Sequence, residues 1–214
     1  MKNFKRILTA AVAASMLMCG FAGCGEDESK SSGDNKTAAV DGESFIITLY
    51  PEYAPITCEN FEKLVSEGFY DGVTFHRVVD GFMAQGGDPD GDGSGGSPDT
   101  IKGEFASNGV NNTLSHQRGI VSMARTMVPD SASSQFFICY ADASFLDGEY
   151  AAFGEVTEGM EVVDKFLEVE RTYGSDGAIS APTSPITISK AVMLEDDSEG
   201  NPRAQFTMEE IPVK

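Results

Sequence analysis

Residues 75–88 read FHRVVDGFMAQGGD. The stretch is apolar for most of its length, yet it carries Arg77 and Gln85 among Phe75, Phe82 and Met83. It contains no Ser, no Cys and no carboxylate pair placed as a nucleophile. Residues 74–79 have the aromatic and β-branched content of a strand. An Arg in a strand is ordinarily a surface ion-pair partner, and apolar neighbours such as Phe82 and Met83 are ordinarily core. The surrounding chain has to decide between that arrangement and a site.

Upstream, residues 45–50, FIITLY, read as a buried strand closed by Pro51. Thr57 can cap a helix running to about Glu67. Its apolar positions Cys58, Phe61, Leu64 and Val65 share one face, and Gly68 ends it. Downstream, residues 88–99, DPDGDGSGGSPD, form a turn-rich loop. Residues 119–124, 134–140 and 151–156 read as further strands. Within 134–140, alternation puts Gln135, Phe137 and Cys139 on one face and Phe136, Ile138 and Tyr140 on the other. Both faces are largely apolar, as expected where one covers a core and the other lines a site. A second helix is expected over 159–169, with Met160, Val163, Phe166 and Leu167 on one stripe, and a last strand over 186–194. Many short strands with two helices predict a mainly β fold, a closed β-barrel with helices capping its ends. Residues 196–214 turn polar and acidic and are expected to be a peripheral tail, with a short ordered piece at most near 204–208.

The ends and the composition bound the location. With 214 residues and 41% hydrophobic composition, the chain has room for one core of ordinary size. MKNFKR carries three basic residues and no acid, and residues 7–18 are almost wholly apolar and small, the pattern of a secretory signal and too short for a membrane span. Ala22 and Gly23 before Cys24 resemble the lipobox of bacterial lipoproteins, although Phe21 stands where Leu is usual. The expected organisation is a signal peptide over 1–23, lipidated Cys24 with a flexible acidic linker over 24–41, a folded domain over 42–195 and the tail. Loss of Lys2, Lys5 and Arg6 with the signal would take the formal net charge from −19 to −22, which disfavours nucleic acid as a partner. Cys19 and Cys24 belong to the export signal, and Cys58 and Cys139 are expected to be separate buried thiols.

Taken in order, PEYAPITCENF, FHRVVDGFMAQGGD, GSGG, SHQRGIVSMA, SSQFFICYAD and FLDGEYAAFGEV resemble the cyclophilins, peptidyl-prolyl cis-trans isomerases built on an eight-stranded antiparallel β-barrel. The resemblance covers roughly residues 42–194. It implies that Arg77 is the catalytic arginine, with Phe82, Met83 and Gln85 forming the first wall of a proline pocket. Gly93 matches the loop glycines. Ala124, Arg125 and Thr126 match the groove, where Arg125 would hold the peptide through its backbone. Gln135, Phe137 and Leu146 match the rest of the pocket. Phe145, Tyr150 and Arg125 stand where well-known eukaryotic members have Trp, His and Asn, which implies weak cyclosporin binding. The family reading implies no cofactor, a monomer, and proline-containing polypeptide segments as partners; the export signal and Cys24 make these segments of exported proteins, met on the outer face or periplasmic side of a membrane.

Two further features have competing readings. Asp88, Asp90, Asp92, Gly93 and Asp99 fit the spacing of a calcium loop, but flanking helices are missing and a solvated acidic turn is expected, with no metal. His76 and His116 are expected to be structural, because bond rotation needs no base.

Overall fold

The computed structural model describes residues 43–213. The signal peptide, Cys24 and the whole of the linker expected from the sequence lie outside the described residues.

Ten strands and two helices make up the described chain. Strand β1 (Ser44–Leu49) leads to α1 (Pro55–Ser66), then to β2 (Thr74–Val79) and β3 (Met83–Asp88). After the acidic loop come β4 (Ile120–Met123), β5 (Phe136–Cys139) and β6 (Ala152–Glu158). Helix α2 (Met160–Asp164) tightens into a 3₁₀ turn over Lys165–Glu168. A small hairpin, β7 (Arg171–Tyr173) and β8 (Ile179–Pro182), precedes β9 (Ile188–Leu194) and β10 (Arg203–Met208).

Eight of the strands form one antiparallel sheet in the order β2-β3-β5-β4-β6-β1-β10-β9. This corrects the closed barrel expected from the sequence. The sheet is an open, strongly curled half-barrel whose edge strands are β2 and β9. No ladder joins those edges. They touch at an isolated bridge, Thr74 to Thr187, and through single hydrogen bonds such as Phe75 N–H to Ile186 O at 2.9 Å. The β7–β8 hairpin packs beside the edge strand β2.

The C-terminal segment is a second correction. Residues 203–208 are an inner strand, paired with β1 on one side and β9 on the other. Its Ala204, Phe206 and Met208 are buried while the residues between them are half-buried. Phe206 stacks on Phe45 with centroids 5.4 Å apart and planes at 9°. Period-2 burial identifies a strand whatever the polarity of the residues around it. The acidic flank from Glu195 to Glu199 hid this one.

Helix α1 also begins differently from the reading that Thr57 caps it. Pro55 takes the first turn, where its missing N–H costs nothing. The cap comes from far along the chain: the buried carboxylate of Glu104 accepts the N–H groups of Ile56 at 3.1 Å and Thr57 at 2.7 Å, and the Thr57 hydroxyl at 2.7 Å. An anion at a helix N-terminus satisfies orphan donors and opposes the helix dipole.

The core inside the curl is aromatic. Phe136 meets Phe61 edge-on at 5.4 Å and Tyr70 at 5.6 Å, and Phe153 and Phe206 close around Phe61. A second, smaller apolar cluster lies apart from it: Met83, Phe137, Cys139, Ala143 and Leu146, flanked by Phe82 and Tyr150. Cys58 and Cys139 are buried, free thiols in different clusters, and burial pushes both up to about 12.

Candidate active site

The second cluster is the floor of a groove, and the local backbone explains how Arg77 reaches it. Phe75 and Val78 are both buried in the main core. Strict alternation from Phe75 would send Arg77 into the core beside it. The β2–β3 register instead shifts between Phe75 and Arg77, pairing Phe75 with Gly86 and Arg77 with Gln85. The extra residue is His76, and such a bulge re-aims the side chains that follow it. Arg77 therefore emerges on the outer face. A matching irregularity lies opposite, where Gly87 has φ +86° and a Cβ would collide with the carbonyl of Ser134. Only glycine suits that position.

Register then assembles a row across three strands. Arg77 stands opposite Gln85, and Gln85 stands opposite Phe137. Met83 stands opposite Cys139 one step away. The β2–β3 turn closes with Phe82 N–H to Val79 O at 3.1 Å, which sets Phe82 at the mouth. From the far side, the 3₁₀ turn Ser144–Leu146 brings Phe145 and Leu146. Phe145 is 72% exposed and its ring lies 5.6 Å from that of Phe82.

The resulting cavity is about 410 Å³. Its polar edge holds Arg77, Gln85 and Arg125, and Ala124 lies beside them. Its apolar lining is Phe82, Met83, Phe137, Phe145, Leu146 and Tyr150. A second cavity of about 270 Å³ adjoins it through Gln85, Ala124 and Arg125. Gly93, Thr126 and Gln135 line that one. Every groove residue expected from the sequence thus falls in one of two connected cavities.

A directed chain of hydrogen bonds crosses the groove. Gln135 Nε2 donates to the carbonyls of Gly93 at 3.1 Å and Gly95 at 2.7 Å. Carbonyls only accept, so the amide oxygen of Gln135 must face Gln85, whose Nε2 donates to it at 2.8 Å. That leaves Gln85 Oε1 toward Arg77 Nη1 at 3.4 Å. Two main-chain carbonyls in the glycine loop therefore set the polarity of the whole row.

Arg125 props the groove rather than entering it with its charge. Its guanidinium lies 4.6 Å from the Tyr150 ring centroid and 4.9 Å from that of Phe105. It donates to the Glu149 carbonyl at 2.8 and 3.0 Å. Such contacts hold a cation against aromatic faces. Thr126 is held through Ser131, whose Oγ accepts the Thr126 N–H at 2.9 Å.

The acidic loop is closed by its own carboxylates. Asp88 is 1% exposed, so the expected solvated turn needs correcting at this residue. It accepts the N–H groups of Asp90, Asp92 and Gly93, the last at 2.6 Å. Asp92 accepts from the backbone and hydroxyl of Ser94. These Asx turns account for Asp88 and Asp92 in the alternate-Asp pattern. Among the described residues, no three His, Cys, Asp or Glu side chains converge as a metal site.

His116 is held by side-chain hydrogen bonds, whereas neither ring nitrogen of His76 has a hydrogen-bond partner among the described residues. His116 is buried, its Nδ1 2.8 Å from Asp147 Oδ1 and its Nε2 2.9 Å from Ser122 Oγ. This has the form of a Ser-His-Asp triad, but Ser122 and His116 are fully buried and no substrate can reach them. The array holds the 3₁₀ turn carrying Leu146, and the imidazole stacks under Phe137 at 6.1 Å. Burial pushes the His116 pKa down, against a smaller opposing effect of Asp147. His76 is likewise pushed down by burial.

Sequence reasoning missed the β7–β8 hairpin and Asp176 at its tip. Arg77 Nε donates to Asp176 Oδ2 at 2.6 Å across 99 residues of chain. The signal was present as Ser-Asp-Gly between two short β-prone runs, a hairpin turn pattern. The Arg77 hydrogen bond holds the Asp176 carboxyl down at about 2.

Comparison with known proteins decides the family. The family model described as "Cyclophilin type peptidyl-prolyl cis-trans isomerase/CLD" matches residues 36–193. The chain belongs to the cyclophilin-type peptidyl-prolyl cis-trans isomerases. Among the curated cyclophilins it is 45% identical to a peptidyl-prolyl cis-trans isomerase of Schizosaccharomyces pombe over 150 residues, 70% of this chain and 92% of that one. It is 49% identical to peptidyl-prolyl cis-trans isomerase B of Bacillus subtilis over 121 residues, 56% of this chain and 81% of the other. A crystal structure of a Cryptosporidium parvum cyclophilin, determined in the presence of the dipeptide Ala-Pro, aligns with TM-score 0.60 and 30% identity, covering 69% of this chain and 95% of that one. As in that family, its substrates are proline-containing polypeptides. The family match stops before β10, so the inner strand Arg203–Met208 lies outside the matched region.

Proposed function

We propose that this cyclophilin accelerates X–Pro rotation in exported polypeptides, assisting their folding as a monomer at the outer side of a membrane, with Arg77 donating to the prolyl nitrogen in the twisted state. An X–Pro bond resists rotation by about 18–20 kcal/mol because twisting breaks amide resonance. The uncatalysed exchange takes tens to hundreds of seconds. No bond is broken, so the enzyme needs only to bind the twisted amide better than either planar form.

The observation that carries this reading is the state of the guanidinium. Arg77 Nε is taken by Asp176, and Nη1 by Gln85 and Met83. Nη2 makes no hydrogen bond to any described residue, and Arg77 borders the apolar cavity. A planar amide nitrogen is a poor acceptor, and its lone pair localises only on twisting. A donor fixed there acts on the transition state alone. Phe82, Met83, Phe137 and Leu146 supply apolar walls for a proline ring. Gln85 and the Arg125 backbone would hold the flanking peptide.

The location rests on the sequence: the apolar segment after MKNFKR and Ala22-Gly23-Cys24 support export and lipid attachment at Cys24. A lipoprotein anchor carries at least two lipid chains, enough for stable attachment. The experiment is cis/trans exchange of an X–Pro peptide by the full chain and by Arg77→Ala. A loss of about two to three powers of ten in kcat/KM with a folded variant supports the mechanism, by analogy with loss of an oxyanion donor. Full activity in that variant removes Arg77 from it. Lipid attachment is checked by the mass of the mature N-terminus, with Cys24→Ala as the control.

A further inference from the structure

We infer that Asp176, at the tip of the β7–β8 hairpin, is a positioning residue that holds the Arg77 guanidinium with Nη2 presented to the substrate. The inference rests on the proposed role of Arg77 and goes beyond it by assigning a second residue and a second element to the reaction.

The pair is made with care on both sides. Asp176 Oδ2 receives Arg77 Nε at 2.6 Å. Asp176 Oδ1 receives the Ala178 N–H at 3.0 Å and the Ser180 hydroxyl at 2.8 Å. The carboxylate is thus fixed by its own turn before it meets Arg77. Arg77 is in turn held at Nε on one side and at Nη1 on the other, the latter through the chain to Gln85, Gln135 and the glycine loop. With the covalent Cδ–Nε bond as a third in-plane point, these two hydrogen bonds set the plane and direction of the guanidinium. The third nitrogen then has one orientation.

Stability does not explain this construction. The Arg77 and Asp176 side chains keep 31% and 24% of their exposure, and ion pairs so close to solvent add little to folding. A free Arg side chain, by contrast, has many rotamers, and a donor that must meet one nitrogen in one state gains from having them removed beforehand. Asp176 takes Nε and leaves Nη2 without a protein partner among the described residues, on a side chain that borders the apolar cavity. Asp176 does not line the apolar cavity, so its part in the reaction would pass through Arg77.

Asp176→Asn separates this role from support of the hairpin. The Ala178 N–H is a fixed donor, so it takes the amide oxygen at the Oδ1 position. The amide nitrogen then faces Arg77 Nε, donor against donor, and the turn is kept while the hold on Arg77 is lost. The experiment measures kcat and KM for X–Pro exchange with the full chain, its Asp176→Asn and Asp176→Ala variants, Arg77→Ala, and the double variant Arg77→Ala/Asp176→Asn. We expect kcat to fall about tenfold in both Asp176 variants with KM unchanged, as for a misdirected transition-state donor. In the Arg77→Ala background, Asp176→Asn should have no further effect. The NMR signal of the Arg77 Nε–H, distinct in the parent, should lose its protection from exchange in Asp176→Asn. Unchanged kcat in Asp176→Asn overturns the inference, as does an equal loss in both backgrounds, which would mark general damage. If Arg77→Ala itself is fully active, the proposed mechanism falls first, and this result differs from the failure of Asp176 alone.

Discussion

Phe136 and Phe137 are neighbours in β5 and point into two different apolar clusters. Phe136 is closed in by the protein's own rings, Phe61, Tyr70, Phe75 and Phe206, all with centroids within 6 Å. Phe137 has His116 beneath it and Tyr150 at its edge, and a cavity of about 410 Å³ in front. Both are nearly inaccessible to water, at 0% and 5%. Burial alone does not tell core from site. What differs is completeness: the inner cluster is filled by the chain, and the outer cluster leaves room that a proline ring can fill.

The sharpest way to break this contrast is from the core side. Removing residues 202–214 takes away β10 and with it Phe206, strips β1 and β9 of a partner, and should leave no cooperative unfolding transition by circular dichroism. If the truncated chain folds and isomerises, β10 is not part of the core. Phe136→Ala should cost about 3–5 kcal/mol in denaturant unfolding, as for a large aromatic in a closed core, while the folded fraction keeps the parental KM. Phe137→Ala should cost less, about 2 kcal/mol, since water can enter the space it leaves, and should raise KM. Equal stability losses with equal KM would erase the distinction between the faces. Arg77→Ala sharpens it further: the expected loss of two to three powers of ten in kcat/KM should come with under about 1 kcal/mol of stability.

The smallest expected effect is a pH dependence that belongs to the outer face. Burial pushes the native His116 pKa below its ordinary value. In the unfolded chain the ring takes up a proton near pH 6.5, and between that point and its lower native value the unfolded state binds more protons. The contribution is therefore complete above about pH 6.5 and is lost as pH falls through the window. His76, shifted the same way by the same cause, adds to the slope. Urea unfolding from pH 7.5 to 5 should show this decline, and His116→Gln should flatten part of it. A decline unchanged by that substitution would place the proton uptake elsewhere.

Much of the groove was legible in the residues because its parts are carried by local patterns. The alternation of residues 135–139 separates Gln135 and Phe137 from Phe136 and Ile138, and the structure keeps that separation. FHR followed by GFMAQ places Arg77 opposite Gln85 once the hairpin closes. The bulge at His76 was less visible: it shows only as the three-residue spacing between Phe75 and Val78, which fits no simple strand. Asp176 and Glu104 were not visible at all as partners. Each lies far along the chain from the group it serves, and a lone carboxylate in a loop carries no mark of where it will end.

The family and the two faces of β5 were readable from the residues, because period, turn chemistry and motif spacing act over a few residues, and the residues expected for the groove line its two cavities. Tertiary packing settled that the sheet stays open, that the segment after the acidic flank is an inner strand, and that Arg77 pairs with a carboxylate in a distant hairpin. Those outcomes depend on which edges and charges meet across tens of residues or more. That choice is made by packing and hydrogen-bond completion in three dimensions, and no local pattern encodes it.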